Sequence, residues 1–350
     1  MTPAKRLKEL IVQDRNNFDA AFPKLIETAM AGLPSETSSA IAHFEKNIMH
    51  NLRGGKMNRG MTVLSTWRLL LSDKTPSDDE YDSAIVLAWC IELLQAFFLV
   101  ADDVMDQSWT RRGKPCWFRQ EDVGYIAIND SFMLEALVYR LIDFYFRGKS
   151  CYKNITRLVH EVTYQTGTGQ TLDLITKPGE NFVNFTLARY KAIVKWKTSF
   201  YSFYFPVALA LYMHNITDAK VHDISKEILL EMGEFFQIQD DYLDCYGDPA
   251  ITGKVGTDIE ETKCSWLLVQ ALQKVDEPQR KVLEENYGVN DPAAVAKVKE
   301  IYSKLDLKSI YKKYEEVSYQ KLMKLIEDVP SELPKEIFTQ LAAKLYKRDK

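Results

Sequence analysis

Two short acidic runs dominate the chemistry this sequence can support. Asp102-Asp103-Val104-Met105-Asp106 is one; Asp240-Asp241-Tyr242-Leu243-Asp244 is the other. On a helix, positions i and i+4 share a face and i+1 neighbours i+4, so each run gathers its carboxylates on one side. Such clustering repels itself, and near a helix C-terminus negative charge is further disfavoured. Something positive must offset both costs. The residues leading into the runs, 93–101 and 235–239, are core-like, which places the carboxylates where buried helices open onto a cavity. Oxygen donors of this kind suit a hard cation. Mg2+ takes one or two carboxylates and completes its shell with substrate phosphates. A single copy reads equally well as a solvated acidic helix end; two copies with matching apolar leaders favour the metal.

Basic residues follow in the pattern an anionic ligand needs. Arg111, Arg112, Lys114 and Arg119 come after the first run, and Lys254 and Lys263 after the second. Upstream, Gly54-Gly55-Lys56-Met57-Asn58-Arg59-Gly60 opens a helix, where backbone N–H groups and two cations one turn apart can hold phosphate. None of these is diagnostic alone; acid and base clusters together point to a metal-bound phosphate. No nucleophile triad is present. Phe97 and Phe98 precede Asp102 by five and four residues, so they lie about 6–7.5 Å deeper along the same helix. They are either core or the floor of a pocket. Phe200, Tyr201, Phe203, Tyr204 and Phe205 read as an aromatic core stripe, although Pro206 disturbs the ladder nearby by removing the partner of the Ser202 carbonyl. Gly167-Thr168-Gly169 lies inside a helical pattern at a cost of about 1–2 kcal/mol. It marks a kink or close approach beside Gln170 and Asp173, or plain helix packing. Asp173 is a candidate third carboxylate near the metals.

The elements that must position these groups are helices. The chain has 15 Gly and 12 Pro in 350 residues, with 46% hydrophobic and 12% aromatic residues. So few turn formers exclude an all-β fold, and so much apolar surface excludes a disordered chain. Apolar spacing predicts helices over 6–30, 35–48, 56–73, 79–107, 122–147, 151–176, 187–213, 219–246, 258–273, 277–286, 292–326 and 332–347. No linker separates them, so the expectation is one all-α domain over 1–350. The net charge of −4 argues against a general nucleic-acid binder. Five scattered cysteines without a C-x-x-C pair read as reduced thiols, and no secretory hydrophobic run opens the chain; both point to the cytoplasm. The apolar stretch Ser83–Ala101 is long enough to span a membrane, but Glu92 and Gln95 interrupt it and Asp102 ends it. A buried core helix is the better reading.

Taken in order, these motifs resemble the trans-isoprenyl diphosphate synthases, most of all the farnesyl-forming branch of eukaryotes and of fungi in particular. The resemblance runs from Phe22-Pro23 to Tyr346-Lys347-Arg348. It rests on both aspartate motifs, Gly-Gly-Lys-x-x-Arg-Gly, Gly169-Gln170-x-x-Asp173 and Gly253-Lys254-x-Gly256-Thr257-Asp258. It implies a single large helical bundle around a deep central cavity, usually homodimeric. It also implies head-to-tail condensation of isopentenyl diphosphate with dimethylallyl and then geranyl diphosphate. Asp102, Asp103 and Asp106 would hold Mg2+ from one side; Asp240, supported by Asp241 and Asp244, would hold it from the other. Three ions are implied with substrate bound, with Mn2+ as a substitute. Arg111, Lys197, Gln237 and Lys254 would contact the allylic diphosphate. Gly55, Lys56, Arg59, Gln95 and Arg112 would hold isopentenyl diphosphate, with Arg348 closing over it. The carbonyls of Lys197 and Thr198 would face the allylic cation if the helix is irregular there. Phe97 and Phe98 would limit the product to fifteen carbons. A terpene cyclase fits less well, because its second motif normally carries Asn or Asp, Ser or Thr, and Glu, and it has no use for Lys56, Arg59 and Arg112. Synthases of geranyl or geranylgeranyl length and a non-catalytic partner subunit are the remaining alternatives; such a subunit would have lost a motif that is intact here. A di-iron bundle lacks its Glu-x-x-His pairs.

Overall fold

Helices account for nearly every regular element of the computed structural model, which describes residues 3–72, 74–252 and 255–346. They are α1 (Pro3–Met30), α2 (Ser38–Asn51), α3 (Asn58–Leu71), α4 (Asp78–Met105), α5 (Ile126–Phe146), α6 (Tyr152–Ile175), α7 (Leu187–Val194), α8 (Phe205–Met213) and α9 (Ala219–Tyr246), then α10 (Pro249–Thr252), α11 (Trp266–Leu272), α12 (Glu277–Asn286), α13 (Pro292–Lys304), α14 (Leu307–Glu327) and α15 (Glu336–Leu345). One antiparallel hairpin, β1 (Thr110–Arg111) with β2 (Lys114–Pro115), follows α4. The chain forms two compact units. One holds the residues up to Val159 with Pro206–Asp218; the other holds His160–Phe205 with the residues from Ala219 on.

In the first unit α4 packs along α3 and α5, and α1 lies against all three. Every residue from Ser83 to Leu94 is buried, which explains the apolar run. By length and composition α4 could cross a membrane, yet 72% of its most apolar stretch is inside the protein. Its start is a capping box: Ser77 Oγ accepts from the Glu80 N–H and Glu80 accepts from the Ser77 N–H. Its last turn carries no basic residue, so the compensation for the aspartates has to be tertiary. The hairpin supplies it. Arg112 (φ 54°) and Gly113 (φ 72°) form the two-residue turn in which both central positions need positive φ.

In the second unit α9 packs against α14, α15 and the segment before α8. Periodicity predicts one helix over 187–213. The chain instead forms α7, a ten-residue π-helical stretch (Lys195–Tyr204) and α8. The Phe205 N–H bonds to the Phe200 carbonyl five residues back. In that wider register Pro206 stands opposite Tyr201, one residue earlier than the Ser202 of an α-helical count. Two other runs also differ. Over 258–273 only Trp266–Leu272 is helical: the Gly288 N–H bonds to the Ile259 carbonyl, and Thr262 takes a left-handed turn. There the apolar spacing serves burial, not a helix. The run 292–326 breaks into α13 and α14 at Asp306 (φ 50°), a residue type that tolerates the left-handed region.

Candidate active site

At the end of α4, Asp103 is buried while Asp102 and Asp106 are half-buried. Arg111 donates to Asp103 Oδ1 through Nε (3.0 Å) and Nη2 (2.5 Å), and Nη2 reaches Asp102 Oδ2 at 3.3 Å. Burial pushes the Asp103 carboxyl up, and Arg111 opposes it. Burial alone would lower the Arg111 guanidinium, but the two aspartates more than offset that and hold it firmly charged. Arg119 donates to the carbonyls of Ser108 and Gln107, both at 2.6 Å, and lies 3.9 Å from the Trp109 ring. These two arginines are the positive charge that the acidic helix end requires. One turn and a little more up α4, Phe97 and Phe98 are half-buried, as is Leu99 beside them, and the two ring centroids lie 4.8 Å apart.

A second cluster forms in the same unit where α3 begins. Glu92 of α4 is buried and accepts from the Gly60 N–H at 2.8 Å. Three residues on, Gln95 Oε1 accepts from Arg59 Nη1 at 2.9 Å. Arg112 Nη1 donates to the Asn51 carbonyl at 2.7 Å. Its guanidinium sits so close to Gly55 that a Cβ there would lie 2.9 Å from Cζ. Gly55, Arg59, Gln95 and Arg112 are thus brought together, and the Lys56 carbonyl is held by Arg15. Burial pushes the Glu92 carboxyl up, resisted by Gly60, Arg59 and Arg112, while burial lowers Arg112 and Glu92 resists. Sequence reasoning sees Glu92 only as an interruption; its i, i+3 relation to Gln95 is the signal that marks it.

In the second unit four residues of α6 and α9 meet the π-helical stretch: Gly169, Asp173, Gly233 and Gln237. Lys197 Nζ lies 2.6 Å from Asp173 Oδ2, and Lys263 Nζ lies 3.7 Å from the same oxygen. A Cβ on Gly169 would come within 2.0 Å of the Lys197 backbone N, so α6 makes a backbone-close approach there. From the other side a Cβ on Gly233 of α9 would lie 2.3 Å from Ser199 Oγ. Gly233 had no signal in the sequence beyond being a glycine in a helix. Thr198 Oγ1 donates to Gln237 Oε1 (3.2 Å), and Gln237 Nε2 donates to Asp241 Oδ1 (3.0 Å). Asp241 Oδ2 accepts from the Trp266 N–H at 2.8 Å. Buried in this way, Asp241 is pushed up to about 7, against the pull of those donors. It holds Gln237 and the start of α11. Asp240 and Asp244 are half-buried, and Asp244 also accepts from the Thr257 and Asp258 N–H groups. Lys254 and Arg348 lie outside the described residues.

Among the described residues no three His, Cys, Asp or Glu side chains form a ready-made metal cage. What is present is two half-buried carboxylate pairs four residues apart, Asp102 with Asp106 and Asp240 with Asp244. Each pair by itself fits Mg2+, which leaves most of its shell to water and phosphate.

The sequence matches the polyprenyl synthetase family over residues 41–305, and the chain belongs to that family; it is a prenyltransferase. Within the family it is similar to farnesyl pyrophosphate synthases. The enzyme of Gallus gallus is 50% identical over 99% of this chain and 96% of its own length. That of Saccharomyces cerevisiae is 46% identical, covering 96% of this chain and 98% of the relative. A T. brucei farnesyl diphosphate synthase complexed with a bisphosphonate superimposes with a TM-score of 0.88 at 33% identity, over 98% of this chain and all of that one.

Proposed function

We propose that the chain makes farnesyl diphosphate by condensing isopentenyl diphosphate head to tail with dimethylallyl and then geranyl diphosphate. The observation that carries this reading is the gathering of Gly55, Arg59, Gln95 and Arg112 beside α4, the helix that ends in Asp102, Asp103 and Asp106. A cyclase has no use for such a second phosphate site. In this reading Gly55, Lys56, Arg59, Gln95 and Arg112 hold isopentenyl diphosphate, joined by Arg348. Arg111, Lys197 and Gln237 hold the allylic diphosphate, joined by Lys254. Both aspartate motifs serve the metals, three ions with substrate bound, with Mn2+ as a substitute, and Asp241 acts by orienting Gln237.

Mg2+, when bound, supplies the charge that lets diphosphate depart. The protein supplies the rest. Arg111 and Lys197 add cationic donors to the leaving group. As the allylic C–O bond breaks, the Lys197 and Thr198 carbonyls in the π-helical stretch stabilise the carbocation. The isopentenyl double bond attacks that carbon, a C–C bond forms, and the resulting cation gives up a proton to the diphosphate released when the C–O bond broke. Aromatic and aliphatic walls keep water from the cation. Phe97 and Phe98 set the fifteen-carbon limit.

The chain acts as one catalytic domain, in the cytoplasm. The chain works as a homodimer, a reading supported by the outward apolar face of α5 and its cap. There Tyr125, Ile126, Phe132, Met133 and Phe144 are between 42% and 72% exposed, a patch that marks an interaction surface. Incubation with isopentenyl and dimethylallyl diphosphates, with Mg2+ or with EDTA, tests the function. Farnesol after phosphatase treatment, formed only with metal, is the expected result. Absence of any metal-dependent prenyl alcohol overturns it.

A further inference from the structure

The hairpin that carries Arg111 and Arg112 is too short to hold itself. Its two strands have two residues each, and Arg112 occupies the left-handed region (φ 54°), which costs a non-glycine residue about 1–2 kcal/mol. Such a conformation persists only where its surroundings determine it. Arg111 is fixed by Asp103 and Asp102. Arg112 faces the Glu92 charge on α4, but its hydrogen bond runs to one face of α2, and the hairpin is held from that face and by Gln120, whose Nε2 reaches the Pro115 carbonyl at 3.3 Å.

That face reads His43, Asn47, His50 and Asn51, spaced at helical intervals. His50 Nε2 lies 3.0 Å from the Pro115 carbonyl, at the hairpin position paired with Thr110. The next residue, Asn51, gives its carbonyl to Arg112 Nη1. The His50 and His43 rings lie 5.3 and 5.7 Å from the Trp117 ring, just beyond the hairpin. Trp117 is tied down in turn: its Nε1 donates to Asp130 Oδ2 at 2.7 Å, and His43 Nε2 meets the same oxygen at 2.8 Å. Asp130 is buried at the foot of α5, and its carbonyl accepts from Asn47 Nδ2 at 3.3 Å. Both histidines present Nε2–H to an oxygen acceptor, so both act as donors here.

We propose that His50, backed by the His43–Asp130–Trp117 cluster, is a positioning residue that presets Arg112 for isopentenyl diphosphate. This rests on the assignment of Arg112 to that substrate. None of the four residues lies in the diphosphate or metal machinery. Because Arg111 is held independently, loosening the α2 side affects one substrate more than the other.

The test measures KM for isopentenyl diphosphate and for geranyl diphosphate separately, with kcat and Tm, in His50→Ala, His50→Gln and Arg112→Ala. His50→Ala should raise KM for isopentenyl diphosphate roughly three- to tenfold, the worth of one hydrogen bond. kcat at saturation and KM for geranyl diphosphate should stay within twofold, because uniform binding is what is lost. His50→Gln, which can still donate to the Pro115 carbonyl, should recover most of the loss. An unchanged KM for isopentenyl diphosphate in His50→Ala, an equal rise for both substrates, or no recovery with Gln overturns the proposal. If Arg112→Ala also leaves that KM unchanged, the Arg112 assignment falls with it; if Arg112→Ala raises it, only the positioning role falls. Should His50→Ala fail to fold, Trp117→Phe carries the same test. It keeps an aromatic ring against the histidines, loses the Asp130 bond, and should show the same split.

Discussion

Replacing Gly169 by Ala sets two effects of opposite sign against each other. Helix propensity alone makes Gly→Ala stabilising by about 0.5–1 kcal/mol in a helix interior. Against this, the new Cβ would stand 2.0 Å from the Lys197 N, 2.3 Å from the Trp196 carbonyl carbon and 2.4 Å from the Lys197 Cα. All three are backbone atoms, so no rotamer change relieves the overlap. Reaching an ordinary contact of 3.4 Å or more requires α6 and the π-helical stretch to separate by more than an ångström. Overpacking of this kind costs about 1–3 kcal/mol, which outweighs the propensity gain. The shift falls on Lys197 and Thr198, and a misplacement of about 1 Å can cost on the order of 100-fold in rate. The expected variant melts a few degrees lower by far-UV CD. It also loses roughly 10- to 100-fold in kcat, measured by incorporation of labelled isopentenyl diphosphate. A Tm above the parent with kcat within twofold would refute the reasoning, since propensity would then have won and the close approach would carry no catalytic weight.

Phe97→Ala or Phe98→Ala should lengthen the product, read by chromatography of the dephosphorylated prenols; unchanged chain length means the rings are only packing. Asp103→Ala and Asp240→Ala should each reduce turnover at least 100-fold with the helical CD signal intact, whereas loss of helix would make these carboxylates structural. Asp241 titrates near 7 when folded because burial penalises its charge. Its contribution to stability is therefore full below the ordinary Asp range near 4 and is lost as pH rises through 7. Metal-free denaturant titrations should find the parent weakening between pH 5 and 7.5 more than Asp241→Asn; parallel curves would count against the buried carboxylate.

The chemistry was legible because it depends on residue type at short spacing. Carboxylates four apart, Gly-Gly-Lys-x-x-Arg-Gly and paired arginines are each visible within a few residues and point to one chemistry only together, and helix period carries most of the fold. The folded chain decided what lies outside that range. Asp241 shares a motif with Asp240, yet its carboxylate is occupied by Gln237 and by the Trp266 amide 25 residues on. Glu92 reads as a flaw in an apolar run until Gly60 is packed against it. The π-helical stretch is pressed by Gly169 on one side and Gly233 on the other, a close approach that only the absence of both side chains allows. Local pattern fixes which groups are available and which segments coil. Where each group points is set by close contacts between residues distant in the chain, and no periodicity records those.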